Sequence, residues 1–151
     1  MKLLMTGLVM GLLPMAAFAH EFKAGHLLIG HPWTRATPAG ATMAAGYLSV
    51  KNSGKTDEVL EGAKVGDADA MLHTTRTKNG VSEMVMLDEI KIPAGQTVTL
   101  QPGGDHMMWE IKTPLKEGAM VDGELMFKNA KTVKVQFKVE AAGALMPAHK
   151  H

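Results

Sequence analysis

Glycine-containing turns divide the chain into segments too short for helices, and this spacing constrains the fold more than any other feature. Turn signals such as Asn-Gly, Pro-x-Gly and Gly-Gly recur along the chain from residue 52 onward. Between them, apolar and β-branched residues alternate with polar ones, as in half-buried strands. We predict strands near residues 27–33, 43–51, 57–65, 70–77, 81–91, 96–101, 106–112, 120–128 and 132–140. Short strands at this spacing indicate an all-β fold, an antiparallel β-sandwich or barrel, in a single domain over residues 20–145.

The first nineteen residues have the pattern of a secretory signal peptide. Lys2 precedes an apolar run from Leu3 to Leu13, and the small-residue triplet Ala17-Phe18-Ala19 closes the segment. A transmembrane helix needs about 20 apolar residues, whereas Pro14 ends this run much earlier. We therefore expect cleavage after Ala19 and export to a bacterial-type periplasm, with no membrane span left in the mature chain.

The composition excludes several classes of function. The chain has no cysteine, so disulfide frameworks, thiolate zinc sites and the cysteine-ligated blue-copper centre are excluded. A formal net charge of +1 provides no basic surface to attract nucleic acid. No nucleophile triad, phosphate loop or carboxylate pair is evident, so we expect a binding protein rather than an enzyme. The unusual feature is the number of soft and borderline metal donors, 13 methionines and 7 histidines.

Two of the predicted strands form a hairpin whose register follows from its turn. Asn79-Gly80 is the strongest short-range hairpin signal, because a type I′ turn requires a positive φ at both central residues. A two-residue loop at this point places His73 opposite Met86 and makes Met84 its diagonal neighbour, roughly 7–8 Å away on the same face. The same register predicts further cross-strand pairs: Leu72 with Leu87, Thr74 with Val85, Thr75 with Met84, Arg76 with Glu83, and Met71 with Asp88.

A second strand combines histidine and methionine on one face. Strand alternation places one set of side chains on the predicted core side, namely Met107, Trp109 and Ile111. The opposite side carries the potential ligands and consists of His106, Met108 and Glu110. Four donors then lie on faces opposite the apolar ones, namely His73, Met84, His106 and Met108. Thioethers are soft and imidazole is borderline, so these side chains together suit Cu(I) far better than Zn²⁺, Ca²⁺ or Mg²⁺.

The spacing of these donors resembles the signature of a known family. It reads His73-x10-Met84-x21-His106-x-Met108, which is similar to that of the periplasmic copper chaperones called PCuAC. The resemblance covers roughly residues 28–140 and continues through the blocks 31–35 (HPWTR), 44–48 (AAGYL), 92–95 (IPAG), 102–108 (PGGDHMM) and 114–118 (PLKEG). One departure is Thr74, since family members often have an acidic residue after the first histidine.

This resemblance implies a cupredoxin-like β-barrel that binds one solvent-accessible Cu(I) through His73, Met84, His106 and Met108. It also implies delivery of copper during assembly of cytochrome oxidase copper centres, to the copper-site subunit or together with a thiol-bearing Sco-type protein. A general periplasmic copper-storage or resistance buffer, without a dedicated acceptor, would use the same ligands and is the alternative. Met71 and Met86 share the ligand face, either as reserve ligands or as an apolar rim. We expect a monomer.

The two ends of the mature chain suggest a second copper site. Cleavage after Ala19 would give His20 a free α-amine, which could chelate Cu(II) together with its imidazole. Residues 146–151 form a short His/Met tail that contains His149 and His151, and His26 or His31 could supply a third nitrogen. The alternative for each end is a disordered polar terminus. A copper mono-oxygenase centred on His20 is the enzymatic alternative, and a metal-free carbohydrate-binding sandwich would leave the four aligned donors unexplained.

Overall fold

Short strands follow one another along the chain, as the turn signals predict. The computed structural model describes residues 20–148. Its strands are β1 (Glu21–Ala24), β2 (Leu27–Arg35), β3 (Met43–Asn52), β4 (Glu58–Val65), β5 (Ala68–Lys78), β6 (Val81–Leu87), β7 (Ile90–Ile92), β8 (Thr97–Leu100), β9 (His106–Glu110), β10 (Met120–Phe127) and β11 (Lys131–Glu140). The predicted signal peptide, His149 and His151 lie outside the described residues. Within residues 20–148, no helix has the length and apolar character to cross a membrane.

Strand pairing closes the sheet into a barrel. The closed path runs β2-β11-β10-β4-β5-β9-β3 and returns to β2, because β2 also pairs with β3. The remaining strands extend it: β1 on β2, β8 on β3, β6 on β5 and β7 on β4. The pairing is antiparallel except between β11 and β2, which run parallel. The predicted all-β, barrel-like single domain is confirmed.

The barrel interior contains the apolar side of β9, as predicted. Met107 and Trp109 are fully buried, and the Trp109 ring lies 5.9 Å from that of Phe137, centroid to centroid. Ile111, expected on the same side, lies just beyond the end of β9 and packs, partly buried, against the hydrophobic core. The buried side of β9 therefore fixes which of its side chains point outward.

Three details of the predicted strands and their pairing are wrong. The short strand β1 was not predicted, because its four residues are too few to show an alternation. The segment predicted as one strand at 81–91 is two, since β6 pairs with β5 whereas β7 pairs with β4. The β5–β6 pairing ends at Leu72 and Leu87, so the predicted pair of Met71 with Asp88 is absent, and Met71 lies opposite Met108 of β9.

Candidate metal centre

The hairpin formed by β5 and β6 has the register predicted from its turn. Asn79 and Gly80 have φ values of 52° and 77°, as a type I′ turn requires. His73 pairs with Met86, and Met84, which pairs with Thr75, is the diagonal neighbour of His73. The other predicted pairs are also present: Leu72 with Leu87, Thr74 with Val85, and Arg76 with Glu83.

Strand β9 lies along the other edge of β5 and brings the second pair of predicted ligands to the hairpin. His106 is directly opposite His73, and Met108 is opposite Met71. Directly opposed residues share a face, so the outward side of β9 continues the ligand face of the hairpin. His73, Met84, His106 and Met108 therefore lie on one face across three neighbouring strands. His73 and His106 are 33 positions apart in the sequence, and strand alternation alone does not predict that their strands are neighbours.

The two histidines of this face have unsatisfied nitrogen atoms. Their rings stack with centroids 5.8 Å apart and an interplanar angle of 17°. Nδ1 of His73 and Nε2 of His106 are buried without a hydrogen-bond partner. Leaving such an atom unsatisfied costs about 1–3 kcal/mol. An ion bound to both nitrogens would satisfy them, so the pair fits a metal-binding role.

A backbone hydrogen bond sets the proton position on His106. Nδ1 of His106 lies 2.8 Å from the carbonyl oxygen of Gly104. Because a carbonyl oxygen only accepts, Nδ1 donates, and the neutral ring keeps its lone pair on Nε2, the buried unsatisfied atom. Such a bond orients ligating histidines in metalloproteins. The Pro-Gly-Gly run before His106 indicates a tight turn, but the sequence alone does not reveal this role of Gly104.

The loop that carries Gly104 is closed by its own backbone. The Gln101 amide donates to the Asp105 carbonyl at 2.9 Å, and the Gly104 amide donates to the Gln101 carbonyl at 3.0 Å. Gly103 has a φ of 83°, in the left-handed region that favours glycine. The loop thus presents the Gly104 carbonyl to His106 without needing a bound ligand.

The two methionines of β6 are more exposed than the other side chains of the site. Met84 and Met86 are 62% and 61% exposed, whereas His106 is buried and Met108 is half-buried. Met84 lies in the part of the hairpin that extends past β9, where β6 pairs with β5 and with no other strand of the described residues. The imidazoles are therefore held by the barrel, and the thioethers of β6 are accessible from solvent.

Harder donors do not form a comparable cluster. Among residues 20–148, no group of three or more His, Asp or Glu side chains is placed to hold a metal ion. The donor set on this face instead combines two imidazoles with thioethers. That combination suits Cu(I) better than zinc, which prefers thiolate, imidazole and carboxylate ligands.

The amino-terminal end of the described chain lies next to His31. The amide of His31 donates to the carbonyl of His20 at 2.8 Å. Residues 145–147 line a cavity of about 190 Å³ together with His31, so the chain that leads to His149 also passes this region. His26 lies in the turn at the opposite end of the β1–β2 pair, which leaves His31 as the neighbour of His20.

Comparison with known proteins identifies relatives over most of the chain. Residues 27–139 match the LpqE-like family, described as "Putative lipoprotein LpqE-like". A protein of Leifsonia xyli subsp. xyli, "Putative lipoprotein Lxx21020", is 34% identical over 131 residues, which cover 85% of this chain and 78% of that protein.

Solved structures share the fold. The apo PCuAC domain of PmoF2 superposes with a TM-score of 0.70 at 30% identity, over 85% of this chain and 100% of that one. The copper-bound PCuAC domain from PmoF2 has a TM-score of 0.69 at 31% identity, and the match covers 81% of this chain and 98% of that one. The solution structure of CuI-DR1885 from Deinococcus radiodurans has a TM-score of 0.60 at 30% identity, and the match covers 82% of this chain and 83% of that one. The barrel is therefore the cupredoxin-like fold of PCuAC domains.

Proposed function

We propose that this chain, which belongs to the LpqE-like family and has the fold of the PCuAC domains, is an exported copper chaperone. It holds one Cu(I) as cargo through His73, Met84, His106 and Met108. The proposal depends chiefly on the two buried, unpartnered imidazole nitrogens that lie on one face with thioethers. Related domains that are named as copper-bound support the choice of metal.

The neutral ligand set favours release as well as binding. Two imidazoles and two thioethers bring no negative charge, so they leave the single positive charge of Cu(I) uncompensated. A thiolate-rich acceptor would therefore draw the ion away. We propose the copper-site subunit of cytochrome oxidase or a thiol-bearing Sco-type protein as acceptor. We propose that the protein acts as a monomer and transfers its cargo without catalysing a reaction.

An anaerobic titration tests the binding site. The mature chain, residues 20–151, competes for Cu(I) with a chromophoric chelator, and we expect one tight equivalent. His73→Ala and His106→Ala should each weaken binding by more than the roughly 10–100-fold that outer-shell substitutions cost. Met108→Leu should also weaken it, and His26→Ala, an exposed histidine away from the site, is the control. Failure of the wild type to compete, or equal affinity of all variants, would contradict the proposal.

A deletion strain separates a chaperone from a storage buffer. At limiting copper, we expect the deletion to lower cytochrome oxidase activity, and expect the wild-type gene to restore it while the His106→Ala variant does not. A buffer would instead leave oxidase activity unchanged and alter only survival at excess copper. The second result would retain Cu(I) binding and reject delivery.

A second copper site is proposed at the mature amino terminus. The His20 α-amine and imidazole would chelate Cu(II), with His31 as a further nitrogen donor, because the two backbones are hydrogen-bonded. His149 and His151 of the tail are additional candidate ligands. Cu(II) titration followed by electron paramagnetic resonance tests this site. One glycine added before His20 should abolish the chelate, whereas a chain ending at residue 148 tests the tail, and unchanged spectra in both would reject the site.

A further inference from the structure

The β6 side of the metal centre contains one more thioether than the proposed ligand set uses. Met84 and Met86 are two residues apart on the same strand and therefore point to the same face. Their exposures are almost equal, 62% and 61%. Exposure does not therefore distinguish the methionine that binds Cu(I) from the one that does not.

The strand register favours Met86 at least as much as Met84. Met86 is directly opposite His73, whereas Met84 is opposite Thr75 and only diagonal to His73. Directly opposed Cβ atoms are about 4.5–5.5 Å apart, and diagonal neighbours are roughly 7–8 Å apart. Methionine has three rotatable side-chain bonds, so both thioethers can reach the imidazole that shares their face.

Packing does not explain these methionines. Strand β6 pairs only with β5 along the described chain, and edge strands are usually protected by charged residues or proline. On this face β6 instead exposes two large apolar side chains, Met84 and Met86. Neither belongs to the buried core or to the partly buried hydrophobic residues packed against it, whereas a soft metal ion at the neighbouring histidines could use both.

We propose that Met86 is an exchange ligand that alternates with Met84 in binding Cu(I). During exchange, one copper–thioether bond forms as the other breaks, the metal stays Cu(I), and no proton moves. His73 and His106 hold the ion throughout. A thiolate acceptor can therefore displace one β6 methionine while the other still holds the ion. This inference rests on the proposed Cu(I) function and assigns a role to a residue outside the family signature.

The test uses the methionine methyl groups of the whole mature chain, labelled with carbon-13 and observed by NMR. One equivalent of Cu(I), added anaerobically, should shift the methyl resonances of both Met84 and Met86. Met120 on β10, 39% exposed and outside this face, should not shift. A shift of the Met84 methyl without a shift of the Met86 methyl would overturn the proposal.

Affinities of single and double variants provide the second measurement. Met84→Leu and Met86→Leu should each lower Cu(I) affinity by less than about tenfold, because one thioether replaces the other. The double variant should lose more than about a hundredfold, well beyond the product of the single effects. The matched control, Met84→Leu with Met120→Leu, should equal Met84→Leu alone. Additive losses in the Met84/Met86 pair would overturn the proposal.

The rate of Cu(I) transfer to dithiothreitol, measured by stopped-flow, is a kinetic readout that a purely structural role of Met86 would not change. Met86→Leu should slow release of Cu(I) severalfold relative to Met120→Leu, and an equal rate would overturn exchange. Failure of the wild type to bind Cu(I) would instead reject the proposed function. Binding that depends on both histidines but not on Met86 would reject only the exchange ligand.

Discussion

At the scale of single residues, the site is defined by atoms that the fold leaves unsatisfied. Nδ1 of His73 and Nε2 of His106 are buried without partners, while the other nitrogen of His106 is held by Gly104. Both histidines were predicted as ligands from the sequence, because strand alternation places them on the face away from the apolar residues. The pattern could not predict which nitrogen of His106 is left available to a metal ion, since that depends on a carbonyl positioned by the loop before β9.

An unsatisfied nitrogen predicts a conflict between stability and binding at His73. The substitution His73→Phe keeps a planar ring at this position and removes the buried polar atom. We expect the free energy of unfolding of the apoprotein to rise by about 1 kcal/mol, the lower end of the 1–3 kcal/mol cost of an unsatisfied polar group. Cu(I) should no longer raise the Tm of this variant.

Urea denaturation and thermal melts with and without Cu(I) check this prediction. His26→Phe is the control, because His26 is exposed in a turn. It should change the unfolding free energy by no more than about 0.5 kcal/mol and keep the response to Cu(I). A less stable His73→Phe apoprotein would show that the ring packs favourably without metal.

At the scale of secondary structure, the β5–β6 hairpin supplies the accessible half of the site. The Asn79-Gly80 turn determines its register, so the pairs predicted from the sequence are present from Leu72 with Leu87 to Arg76 with Glu83, and only Met71 with Asp88 is not. The break between β6 and β7 was not predicted, because one apolar pattern continues while the chain changes partner from β5 to β4. Turn chemistry thus predicts the pairing of strands that are adjacent in sequence. The point at which the chain changes from pairing with β5 to pairing with β4 depends on how the barrel closes.

The projecting part of this hairpin should become ordered when copper binds. Past His73, no third strand of the described residues pairs with either β5 or β6, and an isolated two-stranded ribbon is marginally stable. We expect the amides of residues 74–78 and 81–85 to exchange rapidly in the apoprotein and more slowly after Cu(I) loading. Hydrogen exchange measured by NMR provides the test.

The β10–β11 pair is the internal control for this exchange experiment, because both strands lie within the closed barrel. Its amides should be protected in both states. Slowing confined to the neighbours of His73 and His106, with the projecting hairpin unchanged, would show that no β6 thioether binds the ion.

At the scale of the whole molecule, the site exists only because the barrel inserts β9 between β5 and β3. Alternation identified the outward side of each strand but not the neighbour of each strand. The strand pattern suggested that His73 and His106 serve one metal site, and the resemblance of the signature spacing supported it, but neither showed that β5 and β9 are neighbours. Since the ligands lie far apart in an unfolded chain, we expect Cu(I) to bind after folding and to stabilise the native state alone.

A substitution in the core tests whether the stability of the barrel and the Cu(I) affinity of the site are independent. A Cβ atom at Gly46 would lie 2.7 Å from the Trp109 ring and 3.2 Å from that of Phe137, and both rings are buried. Gly46→Ala should therefore lower the free energy of unfolding by about 1–3 kcal/mol, as overpacking does. Gly143→Ala, which would have no atom within 4 Å of its Cβ, should be close to neutral.

Cu(I) binding should nevertheless stabilise Gly46→Ala and the wild type equally, because the substitution leaves all four proposed ligands in place. At a free Cu(I) concentration 100 times the Kd, the increment is about 2.7 kcal/mol for either protein. Denaturation with and without buffered Cu(I) measures both increments. A smaller increment in Gly46→Ala would show that strain at Trp109 reaches Met108 beside it, so that core packing sets the copper affinity.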